Sequence, residues 1–409
     1  MKKKEKKTEK QADFDFAEFE KKALEDLKKG KPLEGKDGIL APFIKRLVEA
    51  SLQGELDEHL KQNRPNRRNG KMSKRVKTGL GPVEVNTPRD RDGSFEPQSL
   101  PKRQTVLSKA LDDKVVSMYA HGMSYNDICT HLEELYGLTV SPSTLTSITD
   151  RVLEDIKQWQ SRTLETVYPF LWLDAIHYKV KDNGAIATKA LYCVIGINRQ
   201  GVKDLLGLYI GERESARFWL GVLSDLQNRG VRDIAIACID NLSGFAQAIE
   251  SIFPQTEVQL CIIHQIRSST KYVTSKERAS VMSDVKEVYK APTIEQSEEA
   301  LKKLSEKWNS KYPYMVKSWN TNWPRLSTFF RYPKEIRKLM YTTNIIESFH
   351  SQLRKITKSK RVFSSDQSLI KMIYLIYNQK KQGWVDKVFG WNIIYSQLMI
   401  IFEERMTQP

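Results

Sequence analysis

An acid ends the apolar run Asp233-Ile234-Ala235-Ile236-Ala237-Cys238-Ile239-Asp240. A second run has the same form, Phe170-Leu171-Trp172-Leu173-Asp174. Short apolar runs of this kind are typical of buried strands in an α/β fold. Because both runs end in Asp, we expect the two carboxylates to lie at the same edge of one sheet. A charge at the end of a buried strand is costly without a partner, so both acids are candidates for a functional site.

A third acid, Glu347, lies in Thr343-Asn344-Ile345-Ile346-Glu347-Ser348, a segment typical of the first turn of a helix. Taken singly, each acid is more commonly a surface residue, since the chain has 50 Asp and Glu residues. Three convergent carboxylates, however, offer hard oxygen ligands and leave positions open for phosphate and water. The sequence therefore predicts a site at which Asp174, Asp240 and Glu347 bind two Mg²⁺ ions, with Mn²⁺ as a substitute.

The charge balance of the chain favours a polyanionic partner. Its 66 Lys and Arg residues outnumber its acids and give a net charge of +16 over 409 residues. Nucleic acid is the commonest polyanion, and ribosomes or an acidic membrane surface are the alternatives. No apolar stretch approaches the roughly 20 residues of a membrane span, so we expect no membrane partner. No two of the cysteines form a C-x-x-C pair, which indicates a reducing cytosol and no zinc finger.

The N-terminal third combines helices with a basic stretch. Helical periodicity covers 12–30 and 38–62, and a hairpin is predicted from Lys74 to Thr87. Since this hairpin region has few apolar residues, we expect it to be ordered mainly by DNA or by a partner subunit. The basic stretch between the helices and the hairpin supplies candidate DNA contacts, which are Arg64, Arg67, Arg68 and Lys71.

Three helices are predicted between 105 and 155, and the third opens at Ser141-Pro142, an N-cap followed by Pro. This pattern is typical of a helix-turn-helix, in which the third helix enters the major groove and places Ser143 and Thr144 near DNA. A plain three-helix bundle fits the spacing equally well. The positive charge of the chain favours the DNA-binding interpretation.

The region from 168 to 265 changes to strands, which predicts an α/β order with mixed strand directions. Strands are expected at 169–174, 188–197, 203–210, 233–240 and 257–262. A long helical stretch, 276–340, follows and separates the second acid from the third. Its tryptophans, Trp308, Trp319 and Trp323, form a core of their own or stack on unpaired bases. Basic residues after Glu347 are further candidate DNA contacts, namely Arg354, Lys355, Lys358, Lys360 and Arg361.

Several motifs, in order along the chain, resemble those of the bacterial Mutator-type transposases (the insertion-sequence-256 family). They are Leu173 to Val180 around the first Asp, Gly211 to Trp219 as G-x-x-E-x-x-x-x-W, Cys261 to His264 as C-x-x-H, and Asn344 to Glu347 as N-x-x-E. The resemblance spans about residues 40 to 400. One departure is Asp240-Asn241, where the family has Asp-Gly.

The resemblance implies an α/β fold with an RNase H-like mixed-sheet catalytic core, an all-α insertion and a preceding helical, helix-turn-helix DNA-binding region. Its boundaries are a basic tail and first helix (1–35), a dimerisation and DNA-binding region (36–100), a helix-turn-helix domain (101–160), the first part of the core (165–268), the insertion (269–341) and the last part of the core with C-terminal helices (342–409).

The resemblance also implies a DDE transposase that cleaves DNA at terminal inverted repeats and joins the ends to target DNA. Asp174 and Asp240 would hold both Mg²⁺ ions and Glu347 one of them, while His264 would act near the scissile phosphate. A homodimer in the bacterial cytoplasm, associated with the nucleoid, is the expected working form.

Other interpretations use the same residues. A nuclease of the same fold without strand transfer needs the three acids but no end-binding region, and a catalytically silent DNA-binding regulator needs none of the acids. A structural zinc at Cys261 and His264 is not expected, because no second Cys or His pair follows to complete four ligands. Trp219 is expected to be a core residue of its helix.

Overall fold

The computed structural model describes residues 15–33, 35, 37–78, 80–102, 109–136, 138–211, 216–242, 244–341, 344–384 and 386–407. The basic tail, Gly79 of the predicted hairpin turn and Glu214 of the G-x-x-E motif lie outside these residues. The chain forms two compact units, Met1–Asp150 and Arg151–Pro409. The division falls ten residues before the boundary at 160 that the sequence suggested.

The first unit contains helices and one hairpin. Its elements are α1 (Phe16–Lys28), α2 (Ala41–Gln62), β1 (Arg68–Thr78), β2 (Gly81–Asp90), α3 (Lys109–Ala120), α4 (Tyr125–Tyr136) and α5 (Pro142–Asp150). The predicted helices and hairpin are confirmed, although β1 begins inside the basic stretch that the sequence suggested was turn. At the start of α5, the Ser141 hydroxyl accepts a hydrogen bond from the Thr144 N–H at 3.2 Å, which confirms the predicted N-cap.

The hairpin has an apolar contact surface that the expectation of order from DNA or a partner subunit did not foresee. It packs on α2 through an apolar cluster formed by Val48, Leu52, Val76, Val83, Val85 and Leu100. The sequence obscured this cluster because only one face of each strand is apolar, and the apolar residues of that face lie near the turn. Helix α2 and the hairpin therefore share an apolar core.

The second unit holds a five-stranded mixed sheet with helices around it. Its elements are α6 (Val152–Ser161), β3 (Val167–Asp182), β4 (Ala185–Ile197), β5 (Lys203–Gly211), α7 (Ala216–Asn228), β6 (Asp233–Ile239), α8 (Phe245–Ile252), β7 (Glu257–Leu260), α9 (Ile262–Thr270), α10 (Arg278–Lys290), α11 (Ile294–Trp308), α12 (Pro313–Leu326), α13 (Lys334–Tyr341), α14 (Asn344–Thr357), α15 (Asp366–Lys380) and α16 (Trp391–Phe402). The strand order is β5-β4-β3-β6-β7.

Strand directions in this sheet change at β3. Strand β4 runs antiparallel to both β3 and β5, whereas β6 runs parallel to β3 and to β7. The predicted α/β class with mixed strand directions is confirmed. The prediction that a strand ends at Asp174 is wrong, because β3 continues to Asp182 as one arm of a long hairpin with β4. The apolar run marks only the part of β3 that is covered on both faces.

The tryptophans of the sheet region and of the helical stretch mostly serve as core. Trp219 stacks on Phe245 with ring centroids 3.9 Å apart, which confirms the core interpretation. Trp308 and Trp319 are buried, and the indole N–H of Trp319 donates to the Ser269 hydroxyl at 2.8 Å. Trp323 is half-buried. Burial removes Trp308 and Trp319 from contact with bases, so they form the core of the helical stretch.

Within the described ranges, no helix combines the length and the apolar character needed to cross a bilayer.

The cluster between α2 and the hairpin predicts how the stability of the first unit responds when one of its side chains is shortened. Leu52 is 0% exposed in this cluster and Leu47, on the same helix, is 62% exposed. Leu52→Ala should lower the free energy of unfolding of a fragment ending at Asp150 by about 2–5 kcal/mol, because it leaves a cavity. Leu47→Ala is the matched control and should change it by less than about 0.5 kcal/mol. Urea denaturation followed by circular dichroism measures both, and equal losses would contradict the described packing.

Candidate active site

Asp174 lies in the middle of β3, and only 7% of the residue is exposed. The backbone N–H of Ala175 donates to its Oδ1 at 2.8 Å, and Nδ1 of His350 lies 3.3 Å from its Oδ2. Burial raises the pKa of Asp174, but the hydrogen bond and the positive charge of His350 outweigh it and leave the pKa below its ordinary value. Asp174 is therefore held as a carboxylate inside the sheet.

Asp240 directly follows β6, and β6 pairs with the strand that carries Asp174. Leu173 pairs with Ile239 in the parallel register, so the two acids occupy neighbouring positions on adjacent strands. Nδ1 of His264 lies 2.5 Å from Oδ1 of Asp240. Burial raises the pKa of Asp240 to about 6 against the lowering effect of His264, and repulsion by Asp174 adds to the rise. The two carboxylates thus repel each other in a poorly solvated place.

His264 is positioned by the start of α9, which begins immediately after β7. Cys261 caps this helix, and its Sγ accepts a hydrogen bond from the His264 N–H at 3.4 Å. Burial alone would lower the pKa of His264, but contact with Asp240 and with Cys261 raises it to about 11. A protonated imidazole therefore faces the second acid.

Glu347 lies in the first turn of α14, three residues before His350. Its Oε1 accepts a hydrogen bond from the Arg267 guanidinium at 2.8 Å, and Arg267 is three residues after His264 in α9. Helical residues three apart are neighbours on one face. Helices α9 and α14 thus each present a histidine to one Asp, and one turn away they are joined by the pair of Arg267 and Glu347. The structure brings all four predicted catalytic residues into one region.

The three predicted acids offer the kind of oxygen ligand that magnesium binds, and in this structure Glu347 is bonded to Arg267. Asp174 and Asp240 supply hard carboxylate oxygens from adjacent strands, and Glu347 supplies a third from a helix that docks on the first acid through His350. Two like charges side by side, with the pKa of one raised, call for a cation between them. In this structure His264 contacts Asp240 and His350 contacts Asp174, while Arg267 pairs with Glu347.

Among the described residues, the donor group whose ligand atoms already lie close together is Asp240, Cys261 and His264. One ligand atom from each lies within 4.8 Å of the others. The sequence pointed only to Cys261 and His264, because Asp240 comes from a different strand. Three donors are still one short of the four that close a structural zinc site, so the prediction of no structural zinc stands as a prediction.

Two residues of the site were missed by sequence reasoning, His350 and Arg267. His350 is 2% exposed, and no hydrogen-bond partner for its Nε2 lies among the described residues. The signal was available for His350, which is three residues after Glu347 and so shares its helix face. Arg267 lies one helical turn after His264, so it could have been predicted to share the helix face of His264.

The predicted DNA contacts are mainly exposed. Arg64, Arg67 and Lys71 are exposed in the first unit, whereas Arg68 is exposed but already pairs with Asp57. Ser143 is exposed on α5, and half-buried Thr144 lies 2.9 Å from the Ser141 hydroxyl. After Glu347, the exposed residues are Arg354, Lys355, Lys358 and Arg361, and Lys360 is half-buried.

The sequence profile of the family described as "Transposase, Mutator family" matches residues 17–387. The chain belongs to the Mutator family of transposases. Membership in this family implies a DNA-processing enzyme.

The chain is similar to transposases of two insertion sequence elements. It is 41% identical over 396 residues to a transposase for insertion sequence element ISRM3 from Rhizobium meliloti (strain 1021), covering 95% of this chain and 99% of the relative. It is 27% identical over 362 residues to a transposase for insertion sequence element IS256 in transposon Tn4001 from Staphylococcus aureus, covering 86% of this chain and 92% of the relative.

A solved structure of a simian T-cell lymphotropic virus intasome, in complex with PP2A regulatory subunit B56 gamma, also aligns with the chain. The identity is 12%, the alignment covers 52% of this chain and 68% of the other, and the TM-score is 0.18. That overlap is too small to inform the fold.

The acid pair predicts a stabilising effect of magnesium on the folded chain. Mg²⁺ at about 100 times its dissociation constant should stabilise the native state by about 2.7 kcal/mol, because it binds only the assembled site. Asp240→Ala should remove most of the resulting rise in Tm. Asp155→Ala, which removes an exposed acid on α6, is the control and should keep it. Differential scanning calorimetry measures all three proteins, and equal rises in all of them would place the bound magnesium elsewhere.

Proposed function

We propose that this Mutator-family transposase is a DDE transposase that cleaves the terminal inverted repeats of an insertion sequence and transfers the strands to target DNA. The observation that carries the proposal is the placement of Asp174 beside Asp240 by the parallel pairing of β3 with β6. The strand order β5-β4-β3-β6-β7, with its change of direction at β3, supports an RNase H-like core. In this proposal helices α10 to α13 form the all-α insertion.

In this proposal Asp174 and Asp240 hold two Mg²⁺ ions and Glu347 holds one of them, with Mn²⁺ as a substitute. Bound there, the ions supply Lewis-acid stabilisation of the attacking and leaving oxygens of an in-line displacement. His350 orients the Asp174 carboxylate through its 3.3 Å contact. Arg267 holds Glu347 until the acid is needed as a ligand.

The chemistry is two successive displacements at phosphorus, without a covalent enzyme intermediate. Water attacks the phosphodiester at the element end, the bond from phosphorus to the 3′ oxygen breaks, and a 3′-hydroxyl is freed. That hydroxyl then attacks a phosphodiester of the target strand and displaces another 3′ oxygen. His264, protonated beside Asp240, donates a hydrogen bond to a phosphate oxygen and aligns the scissile bond.

The partners in this proposal are double-stranded DNA and a second copy of the chain. The exposed arginines and lysine of the first unit contact phosphates near the terminal repeat, while the helices α3 to α5 read it. Two ends must be brought together for joining, which favours a homodimer. The setting is the bacterial cytoplasm, at the nucleoid.

The first test separates chemistry from binding. Asp174→Ala, Asp240→Ala and Glu347→Ala should each abolish Mg²⁺-dependent cleavage of a terminal-repeat duplex, yet still shift that duplex on a gel. In the same assay His264→Ala should slow cleavage by about one to three orders of magnitude, the loss associated with one positioned donor. Ca²⁺ should support binding with little cleavage, because its coordination is larger and looser.

Sequencing gels that map the cut strand give the readout, and labelled target DNA reports joining. Near-normal cleavage by Glu347→Ala would move the third ligand to another acid. Cut ends that never join target DNA would favour a nuclease over a transposase mechanism. Binding without cleavage by the wild type would favour a silent regulator.

The second test concerns end recognition. A fragment ending at Asp150 corresponds to the first unit and should footprint the terminal repeat. Its affinity should fall steeply with salt, because lysine and arginine contacts release counterions from the phosphates. Arg67→Ala should weaken binding to all sequences alike, whereas Ser143→Ala should mainly reduce the preference for the repeat. No preference for the repeat over random DNA would assign end reading to the second unit.

A further inference from the structure

A cavity of about 660 Å³ opens at Asn241, the residue that follows Asp240, and is not used by the mechanism above. It is enclosed by the segment after β6, by α8 and by α12 of the helical insertion. Its lining includes Asn241, Gln247, Asn322 and Arg325. Its volume is in the range of sites that enclose a small molecule or a single nucleotide.

A buried amide holds two of the lining residues in place. Gln265 is 0% exposed, and its Oε1 accepts hydrogen bonds from Nδ2 of Asn241 at 3.3 Å and from Nδ2 of Asn322 at 3.1 Å. Its Nε2 donates to the Ser318 hydroxyl at 2.9 Å. Every polar atom of Gln265 is thus engaged, so the side chain is fixed and fixes both asparagines.

This network is tied by the chain to the catalytic residues. Asn241 follows Asp240 directly, and Gln265 follows His264 directly. Asn322 comes from α12, so the insertion contributes one side of the cavity and the core the other. A nucleotide next to a phosphate held by Asp240 and His264 would therefore lie close in the chain's fold to Asn241 and to the Gln265 that holds it.

The chemistry of the asparagines matches the edge of a base. Asn241 uses one Nδ2 hydrogen on Gln265 and keeps its carbonyl oxygen and its second hydrogen for a ligand. A donor beside an acceptor on one amide is the pair that recognises base edges, as in Asn or Gln with adenine. The Nδ2 of Asn322 donates to both Gln265 and Ser318, which leaves its carbonyl oxygen for the ligand. Uncharged amides of this kind distinguish bases, whereas lysine and arginine contacts to phosphate do not.

We propose that this cavity receives the base of a nucleotide flanking the scissile phosphate, taken out of the helical stack, and that Asn241 and Asn322 read its edge. The inference rests on the proposed function, because it takes the acid pair to be the point of cleavage. In this proposal the first unit recognises the terminal repeat, and the cavity separately recognises one base next to the cleavage site.

The first arm of the experiment measures occupancy without cleavage. Full-length protein in Ca²⁺ is mixed with terminal-repeat duplexes that carry 2-aminopurine at the first nucleotide on either side of the scissile phosphate. Its fluorescence should rise at one of the two positions when the wild type binds, because the base leaves the stack. Asn322→Ala should lose most of that rise. The control is Asn320→Ala, two residues away on α12, whose Nδ2 bonds instead to Ser305 of α11 at 3.1 Å; it should behave as the wild type.

The second arm measures base reading in Mg²⁺, with each of the four bases at the same position. The wild type and Asn320→Ala should cleave the preferred base about tenfold faster than the others. Asn241→Ala and Asn322→Ala should reduce this preference to about twofold.

Equal cleavage of all four bases by the wild type, at both positions, would overturn the proposal while leaving the proposed function intact. Absence of cleavage on every substrate would instead refute the proposed function, and the fluorescence arm would then decide the cavity alone. No rise in the wild type, or the same rise in Asn322→Ala, overturns the proposal.

Discussion

The repulsion between two carboxylates on adjacent strands is the constraint on which the second unit depends. Because Leu173 pairs with Ile239 in the parallel register, the next residues, Asp174 and Asp240, lie side by side. A poorly solvated place weakens the screening of their charges and raises the pKa of Asp240. For stability alone, apolar residues at these two positions would serve as well as or better than a buried pair of charges. Keeping both acids fits the proposed function, in which His264 contacts Asp240 and bound metal would bring further positive charge.

The histidines that contact the two acids come from helices that are far apart in sequence. Helix α9 leaves the sheet after β7 with His264, and α14 returns with His350 and Glu347 only after α10 to α13. Buried Gln259 of β7 holds the segment after α12 against the sheet. Its side chain accepts a hydrogen bond from the Phe329 N–H at 2.8 Å and donates one to the Leu326 carbonyl at 2.9 Å. A single fixed amide thus ties the end of α12 to the sheet edge. The insertion can carry its own core without loosening the site.

The sequence predicted the parts of this structure that local pattern controls, and the rest depends on pairing. The acids, the strands and the helix bearing Glu347 followed from apolar runs and a helix start. The end of β3 did not, because its outer half pairs with β4 as an exposed hairpin arm that apolar pattern does not mark. The contacts of His350 with Asp174 and of Asp240 with His264 were equally out of reach. They join different elements, and the way α9 and α14 pack against the sheet decides them.

In the proposed mechanism, phosphate binding and base recognition fall to different side chains. The exposed arginines and lysines after Glu347 lie on the helix and loop that carry the third acid, so attraction of the phosphate backbone is coupled to assembly of the site. Such contacts hold any DNA equally. Discrimination requires a donor and an acceptor held at fixed positions, and a flexible exposed amide would lose that geometry. Burial of Gln265 behind Asn241 and Asn322 supplies the missing rigidity, since each asparagine is oriented by a partner that cannot itself rotate. The same segment that carries Asp240 thereby carries a fixed amide, so correct base contact and correct placement of the phosphate would favour one another.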